Sequence, residues 1–323
     1  LRYILFFVFV SASNVMFSQK VSDLNVSPKQ LHVTKGVPPD MLNFIIDQNK
    51  CDACGLCVAD CPRNIIKLDT SLSKLPFVPE EKEELCFDCQ HCMAICPREA
   101  LSIGGHALED CMPIPGHLPD TRGMETLIKG RRSVRQFAQE DLDQVTIEHL
   151  LEVASHAPTG VNVQQVHFHV IKARSSMDMF RRHCMEEIAN VIQRGELPEK
   201  RSYFADFVRL WNEKGVDSLF RGAPHLVVTS SPAKLPTPET DGIIALATFE
   251  LYAAASGVGT LWDGLALWAI RDIAPTLRQS LGIPDEHVIG YVMAFGKPAV
   301  KYQRTVQRDK AKIAYVDGAM ISA

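Results

Sequence analysis

The stretch CDACGLCVADCP, residues 51–62, decides how the chain is read. It places Cys51, Cys54, Cys57 and Cys61 with Pro62 directly after the last, and it returns as CFDCQHCMAICP at residues 86–97. Eight of the ten cysteines in the 323-residue chain thus fall into two copies of one spacing, and Cys111 and Cys184 stand outside it. Bridges between cysteines this close would constrain almost nothing, so a disulfide framework fits poorly. Thiolates two residues apart on a tight loop converge on one point, which suits a metal. Zinc is usually gripped by two C-x2-C pairs, which leaves the third close cysteine and the fourth before proline unexplained.

C-x2-C-x2-C-x3-C-P is the ferredoxin run, and soft thiolates suit iron–sulfur clusters. Residues 41–105 resemble the bacterial two-cluster ferredoxins. LNFII leads in as a short strand, and CPRNIIKL and CPREALSI each repeat the order ligand, turn, apolar strand. The resemblance implies two 4Fe-4S clusters in which the fourth cysteine of each run serves the other cluster. Cys51, Cys54, Cys57 and Cys96 would hold the first, and Cys61, Cys86, Cys89 and Cys92 the second. Such crossing ties the halves together, so that a module too small for a large core is folded by its cofactors.

The rest of the chain divides around this module. With 46% hydrophobic and 22% charged residues it can bury a substantial core, and a net charge of −4 gives no reason to expect nucleic acid. Residues 1–40 read as an upstream extension or unstructured stretch. The second reading of LRYILFFVFVSAS is a targeting segment, although its apolar run is too short to span a bilayer. No stable membrane insertion and a cytoplasmic location are expected. Residues 106–124, with three prolines and two glycines, read as a linker. Cys111 within it reads as a spare thiol, and Cys184, on an expected helix, as an ordinary side chain.

From residue 125 to about 310 the pattern becomes α/β, with residues 311–323 as a tail. TIEHLLEVASHA sets Ile147, Leu150, Leu151 and Ala154 at helical spacing with Thr146 as the expected N-cap. VHFHVIK alternates as a half-buried strand does, and HLVVTSS and HVIGYVMAFG read as further strands. DGIIALATFELYAAASG is apolar nearly all round and reads as a helix buried on most faces. KGRRSVRQF groups Arg131, Arg132 and Arg135 around Ser133, a set that suits phosphate oxygens and equally a solvated basic helix edge. APTGVNVQ offers Thr159, Asn162 and Gln164 on a turn, for a polar heterocycle or for local capping. SGVGTLWDG superficially suggests GxGxxG, but Trp262 fills the third glycine position and a helix precedes it, so the dinucleotide reading fails.

In order and spacing, RRSVRQF, APTGVNVQ, FRGAPHLVV, GVGTLW and FGKP resemble the nitroreductase family of FMN oxidoreductases over about residues 125–310. The resemblance implies that Arg131, Arg132, Ser133 and Arg135 hold the phosphate end of FMN, with Arg304 and Arg308 as late basic partners. It places Asn162 and Gln164, with the Pro158–Thr159–Gly160 turn, at the flavin ring. The backbone from Gly257 and Gly259 through Leu261, Trp262 and Gly264 would approach the ring's reactive edge. It also implies a homodimer with FMN at the interface. QQVHF and TVQRD depart from the family pattern at the mouth of the site and in the tail. No side chain stands out as a catalytic acid, and His156, His167 and His225 read as structural.

The expected fold is therefore α+β: a two-cluster ferredoxin module, then a nitroreductase-like domain with a mixed sheet flanked by helices. The expected function is an iron–sulfur flavoprotein oxidoreductase. Clusters would relay electrons to FMN, which reduces a nitroaromatic, quinone or similar small-molecule acceptor. Reduced ferredoxin or NAD(P)H is the expected donor. Two alternatives stand beside it: an NAD(P)H-dependent nitroreductase with accessory clusters, and a non-catalytic module of a larger redox complex.

Overall fold

The computed structural model describes residues 42–70, 74–106 and 108–317. The expected extension at residues 1–40 and the last six residues of the tail lie outside that range. The chain forms two compact units that divide between Leu108 and Glu109.

The first unit contains β1 (Ile45–Ile46), α1 (Leu56–Asp60), β2 (Lys67–Leu68), β3 (Pro76–Phe77), α2 (His91–Ala94) and β4 (Leu101–Ser102). β1 pairs with β4 and β2 with β3, both antiparallel and two residues long. The sequence repeat is also a repeat of backbone shape. Left-handed residues recur at matched places after each run's first cysteine: Ala53 and Asp88, Gly55 and Gln90, Asn64 and Glu99. Each run thus curls its backbone inward, and Gly55 and Gln90 start the two short helices. The apolar core is small, built around Ile65, Ile66, Met93, Leu101 and Ile103. A core of this size is marginal without a further crosslink.

The second unit begins its regular structure at α3 (Thr121–Gly130), inside the expected linker, because Asp120 caps it by accepting from Gly123 N at 2.9 Å. α4 (Gln144–Ser155) follows. Its cap is Asp143, three residues before the expected Thr146, which instead donates both its N–H and its hydroxyl to that carboxylate. An ionised carboxylate is the stronger acceptor for the free N–H groups of a first turn, so the helix starts there. Next come β5 (His167–Ile171), α5 (Arg174–Gln193), α6 (Phe204–Lys214), β6 (His225–Pro232) and α7 (Pro238–Ala255). β7 (Gly259–Trp262), α8 (Gly264–Trp268), a π-helical turn at Ala269–Ile273, α9 (Leu277–Ser280) and β8 (His287–Gly296) complete the fold.

The four long strands form one sheet in the order β5-β6-β8-β7, with every named pair antiparallel. The four strands are thus wholly antiparallel, and the one parallel contact is an isolated bridge between Ser133 and Thr260 at the β7 edge. The two central strands are apolar on both faces. Leu226, Val228, Val292 and Ala294 join one core with α5, α6 and α8, while Val227, Met293 and Phe295 join another with α4 and α7. β8 and the Leu226–Val228 part of β6 are hydrophobic runs of the kind burial on both sides requires, while Thr229, Ser230 and Ser231 continue β6 as buried polar residues. Among the described residues no helix is long and apolar enough to cross a membrane.

Candidate cofactor sites

In the first unit the cysteines gather in two groups. Cys51, Cys54, Cys57 and Cys96 line one cavity, and Cys61, Cys86, Cys89 and Cys92 line a second. Each group takes three cysteines from one run and the last from the other. Backbone N–H groups turn toward the sulfurs: Asp88 N donates to Cys86 Sγ and Ala100 N to Cys96 Sγ, both at 3.3 Å. Burial, followed by the crowding of neighbouring sulfurs, pushes Cys57 up; burial first and then nearby charge raise Cys86 to about 11 and Cys92 to about 12. Burial thus disfavours the thiolate at these three positions, and a bound cationic metal would offset that cost.

Among the described residues no group of three His, Cys, Asp or Glu side chains is arranged for a single metal ion. The donor set itself, four sulfurs around each cavity with three from one run and one from the other, fits a multi-iron core. The two surroundings differ. Cys54 is exposed beside the Asp52–Arg98 ion pair, whereas Cys92 is buried and its cavity is walled by Ile65, Ile66 and Ile103.

In the second unit, the stretch after α3 runs along the edge of β7. Val134 N donates to Thr260 O at 2.8 Å. Gly259 is required by this approach, since a Cβ there would lie 2.7 Å from Val134 Cγ2. Gln136–Ala138 then pairs with Lys297–Ala299 at the exit of β8, through Ala138 N to Lys297 O and Ala299 N to Gln136 O. The tail beyond passes close to the end of α3, with Thr305 Cγ2 4.0 Å from where a Gly130 Cβ would stand. Arg304 and Arg308 both lie in this exposed, irregular tail segment, Arg304 directly before Thr305.

The basic stretch is not uniform. Arg131 Nη1 lies 2.5 Å from Glu250 Oε1, a carboxylate on α7 that is 6% exposed. Arg131, which the sequence grouped with the other phosphate-facing residues, thus also has a buried carboxylate as partner. Arg132 and Ser133 are half-buried, and Arg135 is exposed with Nη1 donating to Ser133 O at 3.4 Å. Glu250 was missed in the sequence, where its signal was a carboxylate in the apolar second half of α7.

The turn at residues 158–164 is tightly wound. Val161, Asn162 and Gln164 all have left-handed φ, at 48°, 56° and 48°. Such a φ is tolerable for Asn but costs a β-branched residue roughly 1–2 kcal/mol. Gln164 N donates to Thr159 Oγ1 at 2.9 Å, Asn162 N to Thr159 O at 3.0 Å, and Gln164 Nε2 to Asn162 Oδ1 at 3.2 Å. Pro158 precedes this knot, and Gly160 N donates outward to Asp241 Oδ1 on α7 at 3.1 Å. The turn and the Arg131–Glu250 pair thus meet opposite ends of α7. The nine residue steps from Asp241 to Glu250 span about 14 Å of helix.

The GVGTLWDG stretch, expected to end a helix in glycines, does so at Gly257, whose φ is 76°, and then becomes β7. Leu261 turns into the core, and Trp262 packs edge-on to Tyr291 at 5.1 Å. Asp263, which sequence reading did not single out, caps α8 by accepting from Ala266 N at 2.8 Å, while its Oδ2 is buried without a partner. Burial first, and then the nearby Asp217 charge, push its pKa up to about 7. The folded state therefore holds this proton between about pH 4 and pH 7, where the unfolded chain has lost it. The stabilising contribution is full at acid pH and disappears as pH rises through 7. The denaturant midpoint of Asp263→Asn should thus gain on the wild type between pH 5 and pH 8, by on the order of 3 kcal/mol in unfolding free energy. Parallel pH profiles for the two proteins would contradict this.

Among the histidines expected to be structural, His225 is fully buried and its Nε2 accepts from Leu142 N at 2.9 Å. His156 ends α4, its N–H donating to Val153 O. His167 stacks edge-on to His287 at 4.8 Å. Cys184 lies in the core of α5, its thiol pushed up by burial, and Cys111 is exposed.

Comparison with known proteins matches the same two units. The model of the nitroreductase family covers residues 128–297, and that of the 4Fe-4S dicluster domain covers residues 28–101. Nitroreductase NfnB of Mycolicibacterium smegmatis is 26% identical over 190 residues, 51% of this chain and 79% of its own length. A ferredoxin of Pyrobaculum islandicum is 39% identical over 64 residues, 20% of this chain and 54% of its own length. The solved structure of a nitroreductase with bound FMN from Bacteroides fragilis aligns at a TM-score of 0.48 and 20% identity, over 59% of this chain and 98% of that one.

Proposed function

Because the chain belongs to the nitroreductase family, we propose that it is an FMN-dependent oxidoreductase fed by two 4Fe-4S clusters in its own N-terminal unit. When bound, the clusters supply one-electron transfer, and FMN accepts electrons singly and delivers them in pairs to a nitroaromatic, quinone or similar small acceptor. The observation that carries the reading is the pair of four-cysteine cavities in the same chain as the nitroreductase fold.

The chain's own residues have distinct tasks in this reading. The eight cysteines hold the clusters, and the N–H groups of Asp88 and Ala100 offset thiolate charge at Cys86 and Cys96. Arg132, Ser133 and Arg135 supply the fork-shaped donors and the hydroxyl suited to a phosphate, with Arg304 and Arg308 adding charge from the tail. Arg131 holds α3 to α7 through Glu250 and contributes little net charge to that site. Thr159, Gly160, Asn162 and Gln164 present backbone and amide groups to the flavin ring, and β7 from Gly259 to Trp262 forms the surface behind its reactive edge. The covalent link between the units keeps donor and acceptor at high effective concentration.

The homodimer belongs to the same reading. Ile128 on α3 and Tyr302, Ile313 and Tyr315 in the tail expose large apolar side chains that a second copy would cover. Light scattering of the intact chain should give twice the monomer mass, and a monomer would remove this part.

The test is anaerobic purification with iron, sulfide and flavin quantified, followed by rapid mixing with reduced ferredoxin or with NAD(P)H. About eight irons per FMN are expected. Removing the cluster cysteines should slow ferredoxin-driven flavin bleaching at least a hundredfold while FMN stays bound. Equal bleaching in the cluster-free variant would overturn the relay. Faster bleaching by NADPH than by ferredoxin would favour a pyridine-nucleotide reductase with accessory clusters.

A further inference from the structure

The 158–164 turn is tied to the rest of the unit by Asp241, which opens the DGIIALATFELYAAASG helix stretch and was given no role there. Asp241 sits in the first turn of α7 and is 2% exposed. Its Oδ1 accepts from Gly160 N at 3.1 Å and from Thr237 Oγ1 at 2.8 Å, and its backbone N donates to Thr237 O at 2.9 Å. Thr237 in turn sets how near the turn may come, since a Cβ at Gly160 would stand 2.2 Å from its Oγ1. Only glycine allows this seat.

The arrangement is costly in two ways. Val161 is held at a φ that β-branched residues avoid, and such strain persists only where the surroundings over-determine the backbone. Asp241 Oδ2 is buried with no partner, so half of a carboxylate is desolvated without return. Neither cost is needed to join α4 to β5, because the turn already closes on itself through Thr159. What the carboxylate adds is a fixed position for the turn relative to α7, whose far end carries Glu250 and its partner Arg131.

We propose that Asp241 is a positioning residue for the flavin: its buried carboxylate clamps the strained Thr159–Gln164 turn in the shape that receives the ring. This rests on the FMN reading above. Asp241 touches no reacting atom in it and acts through the Gly160 amide.

The experiment titrates the flavin-free full-length chain with FMN, following fluorescence quenching and the visible circular dichroism of the bound ring. Amide exchange at residues 158–164 is measured in the flavin-free protein. Asp241→Ala should weaken FMN binding at least tenfold, alter the dichroism of bound FMN and speed exchange at Gly160. Asp241→Asn, whose carbonyl can still accept both hydrogen bonds, should stay within threefold of the wild type with the same dichroism. Should Asp241→Ala not fold, Thr237→Val removes one of the two contacts and should weaken FMN binding at least threefold. A wild-type chain that binds no FMN would sink the flavin reading itself. Wild-type binding with unchanged affinity, dichroism and exchange in Asp241→Ala, or unchanged affinity in Thr237→Val, would sink this inference alone.

Discussion

A Cys61→Ala/Cys86→Ala double variant is expected to keep about four irons per chain, whereas Cys51→Ala/Cys61→Ala keeps almost none. The two variants remove the same number of thiols, yet the first takes both from one cavity and the second takes one from each. If each run instead held its own cluster, the outcomes would be exchanged. In the crossed arrangement Cys61 stands with Cys86, Cys89 and Cys92, so its loss is harmless to the other cavity. Anaerobic iron analysis distinguishes the cases, and electron paramagnetic resonance of the reduced protein identifies what remains. The surviving cluster in Cys61→Ala/Cys86→Ala should be the more accessible one, because Cys54 in its cavity is exposed. Sulfur–metal bonds carry much of this unit's stability, since its apolar core is small. The variant should therefore also unfold at lower denaturant than the wild type.

How much of this could be read from the sequence depended on the range of the interaction. Cysteine spacing is local chemistry, and the chain brings those residues together wherever the spacing places them. The strand HVIGYVMAFG is likewise local, because burial on both faces needs an apolar residue at nearly every position, and β8 spans just those residues. The start of α4 was displaced because two capping residues stand three apart and the carboxylate outcompetes the hydroxyl. Contacts across the fold left no such trace. Arg131 and Glu250 are 119 residues apart, and Gly160 and Asp241 are 81 apart. In the sequence Arg131 looked like its two neighbours, and only α3 ending against α7 separates it from them. Gly160 looked like a turn former, yet its φ is ordinary and its small size serves the approach of Thr237.

Arg181→Met is expected to destabilise the flavin-binding unit by about 3–5 kcal/mol, read as a lower urea midpoint. The side chain is 8% exposed on α5, with Nε 2.7 Å from Asp217 Oδ2 and Nη2 donating to Ala223 O at 2.7 Å; Nη1 pairs with Asp178. Asp217 also accepts from Phe220 N at 2.9 Å and Gly222 N at 2.8 Å, so one arginine anchors the whole connection between α6 and β6. Methionine fills similar space but leaves Asp217 as a buried charge facing no cation. That uncompensated carboxylate, more than any lost attraction, is the source of the cost. Asp217→Asn should cost less, because its carbonyl can still accept a backbone N–H and Arg181 keeps Asp178 and Ala223 O. Arg181→Lys should fall between them, since a point charge cannot serve three acceptors with a planar fork. The Asp217 charge also raises Asp263, so Asp217→Asn should shift the pH-dependent loss of stability toward lower pH. An Arg181→Met protein as stable as the wild type would mean that water reaches this network and screens it.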